Sequence, residues 1–391
     1  MLGFLLARAG IDVVVLEKHK DFLRDFRGDT VHPSTLEVMH ELGLLKEFLD
    51  LPHQEARILG GQIGDEFVIL ADFSHLPTKC KFIALVPQWD FLNFLAGKAQ
   101  RYPNFKLKME AEVVGLLEAE GRVAGVKAKT PDGPLEVRAD LTVGADGRSS
   151  IVRRQANLKI KEFGAPMDVL WFRLSRQPDD GEQTLGRIVK GRMMVTLNRG
   201  DYWQCAYLIR KGDYERIKDR GLDAFRRDIL LVAPFMRERV DELMDWNQIK
   251  LLTVKVDRLE KWYRPGLLII GDAAHAMSPI GGVGINLAIQ DAVAAANILA
   301  ERLGRGTVSL ADLQRVQLRR ALPTRLTQAM QIIIQDHLVK RILGSDQNIP
   351  LPWPAKLIQQ WPLLRRIPAR LIGIGFRAEH VKTPQLFHES P

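Results

Sequence analysis

The spacing of apolar residues at the start of the chain predicts a helix that is followed by a buried strand. Residues 1–10 read MLGFLLARAG, an apolar helical stretch closed by Gly10, which suits a left-handed C-terminal cap. The run from Val13 to Leu16 is uninterrupted and rich in β-branched side chains, as is typical of a strand covered on both faces. The strand ends at Glu17. Helix, glycine, strand and acid in this order form the second half of a dinucleotide-binding βαβ unit, in which the acid binds a ribose.

The first half of that unit is not found in the sequence. Its glycine fingerprint should stand about 20 residues before the acid, and counting back from Glu17 passes Met1. We therefore expect the phosphate loop and the first strand to be absent from this chain. An ordinary αβ unit that ends in a solvent-facing glutamate remains an open alternative for this stretch alone.

A second apolar run ends in a tight polar turn. Residues 141–154 read LTVGADGRSSIVRR, which predicts a short strand, a turn at Asp146-Gly147 and the basic start of a helix. Ser149 or Ser150 would cap that helix.

A third strand carries the strongest signal in the chain. Leu267 to Ile270 are apolar, and Gly271 and Asp272 follow at the carboxyl end of the strand, where open α/β sheets bind ligands. A long Ala-rich helix then begins near Ile285 and Asn286. The loop before it is rich in residues that let backbone approach a ligand, namely Pro279, Gly281, Gly282 and Gly284. A helix start there would present free N–H groups and partial positive charge.

The middle and the end of the chain have different patterns. Apolar and polar residues alternate between residues 168 and 208, which predicts an antiparallel sheet with one covered face. Aromatic and methionine side chains would line or back this sheet: Trp171, Met193, Tyr202, Trp203 and Tyr207. Residues 224–243 predict a helix pair that returns to the first domain. After Pro323 the pattern is helical and basic, and it suits a cover for the sheet, a dimer contact or a membrane-surface contact.

Composition narrows the class of protein. The chain has 391 residues, 46% of them apolar and 26% charged, as expected for two or more globular units. The two cysteines, Cys80 and Cys205, are too few and too far apart for a disulfide scaffold or a zinc site, and they favour a cytoplasmic location. The net charge is +9, but the Lys and Arg residues are scattered, so we expect no nucleic-acid partner. Neither a signal peptide nor a transmembrane run is expected.

Together these motifs resemble the flavoprotein monooxygenases of the para-hydroxybenzoate hydroxylase type. Glu17 matches the acid of the family's first motif, Asp146-Gly147 its strand-DG motif, and Gly271-Asp272 with His275 its strand-GD motif. The resemblance runs from Met1 to about Leu322.

The resemblance also implies roles for individual residues. Arg27 falls at the position where the family has an arginine that contacts FAD near its pyrophosphate. Gln88 falls at the position where the family has a side chain that contacts the ribityl chain. Asp272 would accept hydrogen bonds from ribityl hydroxyls, and the N–H groups near Ile285 and Asn286 would point at the flavin. Asp146 would hold a turn that passes near both flavin and nicotinamide, and it is counted among the cofactor-binding residues; His275 would be structural. No catalytic side chain and no metal ligand is assigned.

The implied fold class is α/β with α+β elements. A Rossmann-like FAD-binding domain without its first strand would comprise residues 1–60, 82–158 and 252–325. An antiparallel-sheet substrate domain would comprise 61–81 and 159–251, and residues 326–391 would form a C-terminal helical region.

The implied activity is hydroxylation of an aromatic or related ring by FAD, with NAD(P)H as reductant and O2 as co-substrate. A homodimer and a weak peripheral membrane contact are further expectations. Two alternatives stay open at this point: a flavin oxidoreductase of the same fold without oxygen insertion, and an N-terminally truncated, non-catalytic remnant.

Overall fold

The computed structural model describes residues 1–23, 30–64, 66–181, 185–345, 347 and 350–386. In these residues the strands, in chain order, are β1 (Val13–Leu16), β2 (Thr30–Val31), β3 (Gln54–Ala56), β4 (Ile58–Ile63), β5 (Glu66–Asp72), β6 (Ile83–Leu85), β7 (Phe105–Lys108), β8 (Glu112–Ala119), β9 (Arg122–Thr130), β10 (Gly133–Arg138), β11 (Thr142–Gly144), β12 (Ile160–Glu162), β13 (Met167–Ser175), β14 (Leu185–Val189), β15 (Arg192–Asn198), β16 (Tyr202–Arg210), β17 (Lys250–Leu252), β18 (Asp257–Leu259), β19 (Tyr263–Arg264) and β20 (Leu267–Ile269).

The α-helices of the same residues alternate with these strands and then dominate the end of the chain. They are α1 (Leu2–Arg8), α2 (Pro33–Glu41), α3 (Leu45–Leu49), α4 (Gln88–Ala99), α5 (Ile151–Gln155), α6 (Tyr214–Asp219), α7 (Leu222–Val232), α8 (Gly284–Gly304), α9 (Leu310–Ile334), α10 (Lys340–Leu343), α11 (Trp353–Gln360) and α12 (Arg366–Gly373). The expected mixed α/β class is confirmed.

Two parallel strand pairs carry the predicted turns. β1 pairs with β7, and β11 pairs with β20, so that Gly144 lies opposite Ile269. Because parallel strands place their carboxyl ends at the same edge, the turns that follow β11 and β20 lie side by side. Gly10 has φ +81°, as the cap prediction required. These pairs agree with a Rossmann-like arrangement, which remains an interpretation.

The alternating segment supplies four strands, β13 to β16, of a seven-stranded sheet of order β17-β13-β16-β15-β14-β4-β5. Because β14 pairs with β4 in parallel, the sheet is mixed and the expected purely antiparallel sheet was wrong at that pair. One face, which we call the back face, packs against α7; Tyr207 of β16, for example, lies 5.2 Å from Phe225, ring centre to ring centre. The opposite front face carries Trp171 and Met193, and it packs against Ile280 of the glycine loop. Strand alternation therefore separates the predicted aromatic set, since Trp203 and Tyr207 belong to the back-face core.

Helix α8 is the central helix of the molecule. Its residues contribute to the cores on both α1 and β20. The segment Ile280–Gly304 is long and apolar enough to cross a membrane, although no such segment was expected from the sequence; 72% of its most apolar window is buried inside the protein. That burial is the normal state of a core helix.

One sequence prediction about helices was wrong, and one proposed domain boundary falls inside a helix. The predicted helix pair in residues 224–243 is one helix, α7, followed by short 3₁₀ turns at Pro234–Met236 and Val240–Glu242. The helical pattern predicted after Pro323 is confirmed, because α9 continues through that proline to Ile334. The proposed domain boundary at 325/326 therefore falls inside α9, where burial of Thr324, Thr327 and Gln328 keeps the helix on the core.

Candidate functional site

The turn after β20 is held from below by a buried carboxylate on α8. The Gly271 N–H donates to Asp291 Oδ2 over 3.1 Å. His275 Nε2 lies 2.6 Å from the same oxygen, and Arg320 Nε donates to Asp291 Oδ1 over 3.0 Å. All three side chains are buried. His275 is thus hydrogen-bonded inside the protein, which agrees with its predicted structural role.

This cluster extends to the C-terminal segment. Arg320 also pairs with Glu379 at 3.2 Å, and Arg319 pairs with the same carboxylate at 2.7 Å. Burial alone would raise the pKa of Asp291, but His275 and Arg320 outweigh it and hold that pKa below its usual value. Asp291 therefore stays charged and fixes the turn to α8, α9 and the C-terminal segment.

Asp272, directly above this cluster, keeps a carboxylate directed away from the core. Its Oδ2 lies 3.4 Å from Arg148 Nη2, and the side chain is 33% exposed. A Cβ placed on Gly284 would lie 3.8 Å from Asp272 Oδ1, so the carboxylate lies beside the start of α8. Asp272 is an acceptor with one long ion pair at the N-terminus of a 21-residue helix.

The glycine loop before α8 is shaped by contacts with β2. Gly282 has φ +62°, and a Cβ there would meet Thr30 Oγ1 at 2.2 Å. Thr30 Oγ1 donates to the Gly282 carbonyl over 2.8 Å. Only glycine allows this approach. Among the described residues, no side chain caps the first turn of α8, so that turn offers backbone N–H groups to a ligand.

Asn286 joins this loop to β2 and α2. Its Nδ2 donates to the carbonyls of Thr30 and Gly282 over 3.0 and 3.2 Å. Its Oδ1 accepts from His32 N at 2.9 Å and from Thr35 Oγ1 at 2.8 Å. All of these hydrogen bonds are made within the protein, so any contact of Asn286 with the cofactor would have to come from its backbone N–H.

His32 connects the same loop to the C-terminal helices. Its Nδ1 lies 2.8 Å from the Ile372 carbonyl, which requires Nδ1 to carry the proton. Burial lowers the pKa of His32 to about 4, although hydrogen bonds to the backbone of Ile372 and Gly281 act in the opposite direction. The ring is neutral at physiological pH.

The turn after β11 is organised differently. Asp146 Oδ1 accepts from Ser150 Oγ, and its Oδ2 accepts from Val152 N at 3.1 Å. Ser150 in turn caps α5 through Arg153 N at 2.8 Å, which confirms one of the two predicted caps. Both oxygens of Asp146 thus serve α5. Its contact with the cofactor remains a prediction, and the carboxylate oxygens that would make this contact already accept hydrogen bonds from Ser150 and Val152.

The remaining predicted residues lie at three different places. Glu17 follows β1, and its Oε1 accepts from His19 N at 3.0 Å. Gln88 is the first residue of α4 and is partly buried. Arg27 lies outside the described residues. The structure therefore joins Asp272, Pro279, Gly281, Gly282, Gly284, Ile285 and Asn286 into one site, with Gly271 beneath it and Asp146 in the adjoining turn.

FAD fits this arrangement on two observations. The uncapped start of α8 offers N–H donors for the carbonyl edge of a flavin, and the Asp272 carboxylate offers an acceptor for ribityl hydroxyls. Gly281, Gly282 and Gly284 have no side chains, so the loop backbone can approach a ligand closely. In the described residues no cluster of His, Cys, Asp and Glu is suited to a metal ion.

Several supporting residues were not predicted from the sequence. Asp291 lies on an Ala-rich helix at a position that reads as ordinary, and its partner Arg320 is 29 residues away. Thr30 meets Gly282 across 252 residues. The only local signal was the requirement for glycine at position 282, which indicates a close neighbour without identifying it.

Comparison with known proteins agrees with this geometry. The family model described as FAD binding domain matches residues 1–329. A 6-methylpretetramide 4-monooxygenase from Streptomyces rimosus is 31% identical over 99% of this chain and 92% of that protein. The 12-dehydrotetracycline 5-monooxygenase/anhydrotetracycline 6-monooxygenase of Streptomyces rimosus subsp. rimosus is 26% identical over 75% of this chain and 58% of that protein.

A solved structure shows the same fold. The p-nitrophenol 4-monooxygenase PnpA from Pseudomonas putida DLL-E4 has a TM-score of 0.77 to this chain, with 18% identity over 96% of this chain and 95% of PnpA. The resemblance found in the sequence is thus confirmed: the chain belongs to the FAD binding domain family and is an FAD-dependent monooxygenase.

Proposed function

We propose that the protein uses NAD(P)H and O2 to hydroxylate a fused-ring aromatic compound of the tetracycline class. In the net reaction one oxygen atom enters a ring C–H bond, the other leaves as water, and NAD(P)H supplies the two electrons. The substrate class is supported by the two relatives named for pretetramide and tetracycline compounds. The proposal that NAD(P)H is the reductant is supported by the net charge of +9, because positive charge attracts a phosphate-bearing dinucleotide.

One observation carries the proposal. The Asp272 and α8 cradle faces the front face of the seven-stranded sheet, because Ile280 of the glycine loop packs against that face. Val195 and Ala206 belong to the same apolar surface as Trp171. A flat ring held here would lie between apolar side chains and the flavin, in a region from which water is excluded.

The residues of the chain prepare this space for the cofactor, which when bound supplies the electron transfer and oxygen activation. Asp272 would orient the ribityl chain by accepting hydrogen bonds from its hydroxyl groups. The partial positive charge at the N-terminus of α8 would stabilise negative charge on the flavin ring by about 0.5–2 kcal/mol. Arg148 offsets the charge of Asp272 at 3.4 Å. His275 acts beneath the turn and does not touch the substrate space.

The test uses the purified full chain with added FAD. We expect flavin absorbance to co-purify, and NAD(P)H oxidation to rise when a fused-ring phenol is added, with one hydroxylated product formed for each NAD(P)H consumed. Simple phenolic acids, which carry a single ring, serve as the control substrates. Bound flavin with hydrogen peroxide as the only oxygen product would contradict oxygen insertion and favour the oxidoreductase alternative. Protein that takes up no FAD would contradict the proposal altogether.

Two other expectations concern the surface and the location of the protein. A homodimer and a peripheral membrane contact both require an exposed apolar face, and residues 353–367 provide one. The cytoplasmic location stays a prediction from the low cysteine content.

A further inference from the structure

The last helices of the chain combine an exposed apolar surface with an unbalanced positive charge. Trp353 is 74% exposed, Trp361 62% and Leu363 66%. Leu357 and Ile367 are also exposed. We call these five side chains the C-terminal apolar face. Large exposed apolar side chains concentrated in one short segment of a protein surface indicate an interaction site.

The opposite sides of the same helices are firmly attached to the domain, so the face is not a loose end. Helices α11 and α12 pack against β5. Gln359 Nε2 donates to the Phe67 carbonyl over 3.0 Å, and its Oε1 accepts from Ile69 N at 3.2 Å, so one side chain covers the edge of the sheet. A Cβ on Gly373 would lie 2.7 Å from Leu76. The side of these helices that contacts β5 is therefore fixed, and this holds the C-terminal apolar face in a defined position on the surface.

Charge identifies the partner of this surface. Between Pro350 and Ala378 the sequence contains five Lys and Arg and no Asp or Glu. Arg366 and Arg370 stand on the outward side of α12, beside Ile367, and both are exposed. A second copy of the chain would bring the same positive charges against each other, whereas an anionic lipid surface would complement them. Exposed tryptophans on and just after α11, together with exposed arginines on α12, have the composition of helices that lie in a membrane interface.

We propose that the C-terminal apolar face docks the protein on an anionic lipid bilayer, with Trp353 and Trp361 at headgroup depth and Arg366 and Arg370 against lipid phosphates. The helices lie on the bilayer and do not span it, since α11 and α12 have eight residues each.

The experiment sediments the full chain with vesicles of phosphatidylcholine, with and without phosphatidylglycerol. We expect binding only to the anionic vesicles, with a blue shift of tryptophan fluorescence. Binding should weaken strongly between about 0.1 M and about 1 M salt, because the Debye length falls from about 10 to about 3 Å. Failure to bind anionic vesicles at low salt would overturn the proposal.

Two variants separate the apolar and the charged contributions. The double substitution Trp353→Ser and Trp361→Ser should reduce partitioning roughly tenfold or more. Arg366→Gln with Arg370→Gln should reduce it by about 25-fold, about fivefold for each charge removed. Far-UV circular dichroism and flavin content report whether each variant is folded. If both folded variants bind vesicles as the parent does, the face is not the docking site.

A matched control removes an exposed apolar residue and an exposed charge from the substrate domain, through Met244→Ser with Arg227→Gln. This variant should bind vesicles like the parent. Analytical ultracentrifugation provides the remaining outcome. A concentration-dependent dimer that the tryptophan variant abolishes, without vesicle binding, would assign the face to a contact between copies and would overturn the proposal.

Discussion

Two neighbouring turns of this protein each carry an aspartate at the tip of a parallel strand, yet the structure uses them differently. In the turn after β11, Asp146 accepts from Ser150 and from Val152, both within six residues of it. In the turn after β20, Asp272 is left with one ion pair of 3.4 Å to Arg148. A strand-tip position alone therefore does not free a carboxylate for a ligand.

The difference arises from how each turn is supported. The first turn is held by its own aspartate, because Asp146 accepts hydrogen bonds from the residues that begin α5. The second turn is supported by another residue, since Asp291 accepts from Gly271 N and from His275. Because this support comes from α8 below, Asp272 remains available above. The two functions of a strand-tip carboxylate, holding the turn and binding a ligand, are divided between two residues.

The largest expected effect comes from removing the support of the second turn. Asp291→Ala leaves Arg320 and His275 buried without their carboxylate, which should lower the free energy of unfolding by about 3–5 kcal/mol. Urea denaturation at neutral pH measures this loss. Asp336→Asn changes an exposed carboxylate in the helical turn that follows α9 and should change stability by less than about 0.5 kcal/mol. Equal losses in the two variants would remove the distinction between the turns.

The next prediction concerns the ligand side of that turn. Asp272→Ala should weaken FAD binding by about tenfold to a hundredfold, because hydrogen bonds to a charged acceptor contribute about 1.5–3 kcal/mol. Its thermal stability without FAD should remain close to that of the parent, since the side chain is one-third exposed. Flavin fluorescence titration measures the affinity. A variant that binds FAD as tightly as the parent would show that Asp272 is not a ligand.

A third prediction uses pH to test the partners of the glycine loop. Unfolded His32 has a pKa near 6.5, whereas burial lowers the folded value to about 4. Between these values the unfolded chain binds more protons, so stability should fall as pH falls, by about 2 kcal/mol at pH 5. His32→Gln should flatten this part of the pH profile, whereas His75→Gln, which changes an exposed ring, should retain it. Thermal denaturation between pH 7 and pH 4.5 measures both slopes, and identical slopes would contradict the assignment.

The smallest effect is expected at the first turn. Asp146→Ala removes two hydrogen bonds from the start of α5 and should cost about 1 kcal/mol of stability. Its effect on FAD affinity, measured in the same titration, should be smaller than that of Asp272→Ala. The opposite order of the two affinities would reverse the comparison and assign the ligand to Asp146.

Much of the site was predictable because its signals are local. The runs Val13–Leu16 and Leu267–Ile269 are apolar over consecutive residues, and both form strands. β20 is buried as predicted, whereas Val14 of β1 is 48% exposed, so the prediction that β1 is covered on both faces was wrong. Gly271-Asp272 and the glycines before α8 stand in one short stretch of sequence. The family resemblance rested on these same stretches, and the family model confirms it.

Other features depended on contacts that no local pattern contains. The helix that continues through Pro323 is kept on the core by buried side chains such as Thr324 and Thr327. The predicted aromatic set was divided between two faces, because strand alternation places Trp171 toward the glycine loop and Trp203 toward α7. The pattern gave the period of alternation but not which face would meet the cofactor domain.

The amino-acid sequence by itself determined where the strands end, where the glycines stand and which family the chain resembles, because apolar periodicity and turn chemistry act over a few neighbouring residues. The tertiary structure alone decided that Asp272 rather than Asp146 is left for a ligand, and that the side chain of Asn286 is not. The physical reason is that a polar side chain is free only if nothing else in the fold satisfies it. Those partners, such as Thr30 for the glycine loop and Asp291 for the Gly271 turn, lie 252 and 20 residues away along the chain.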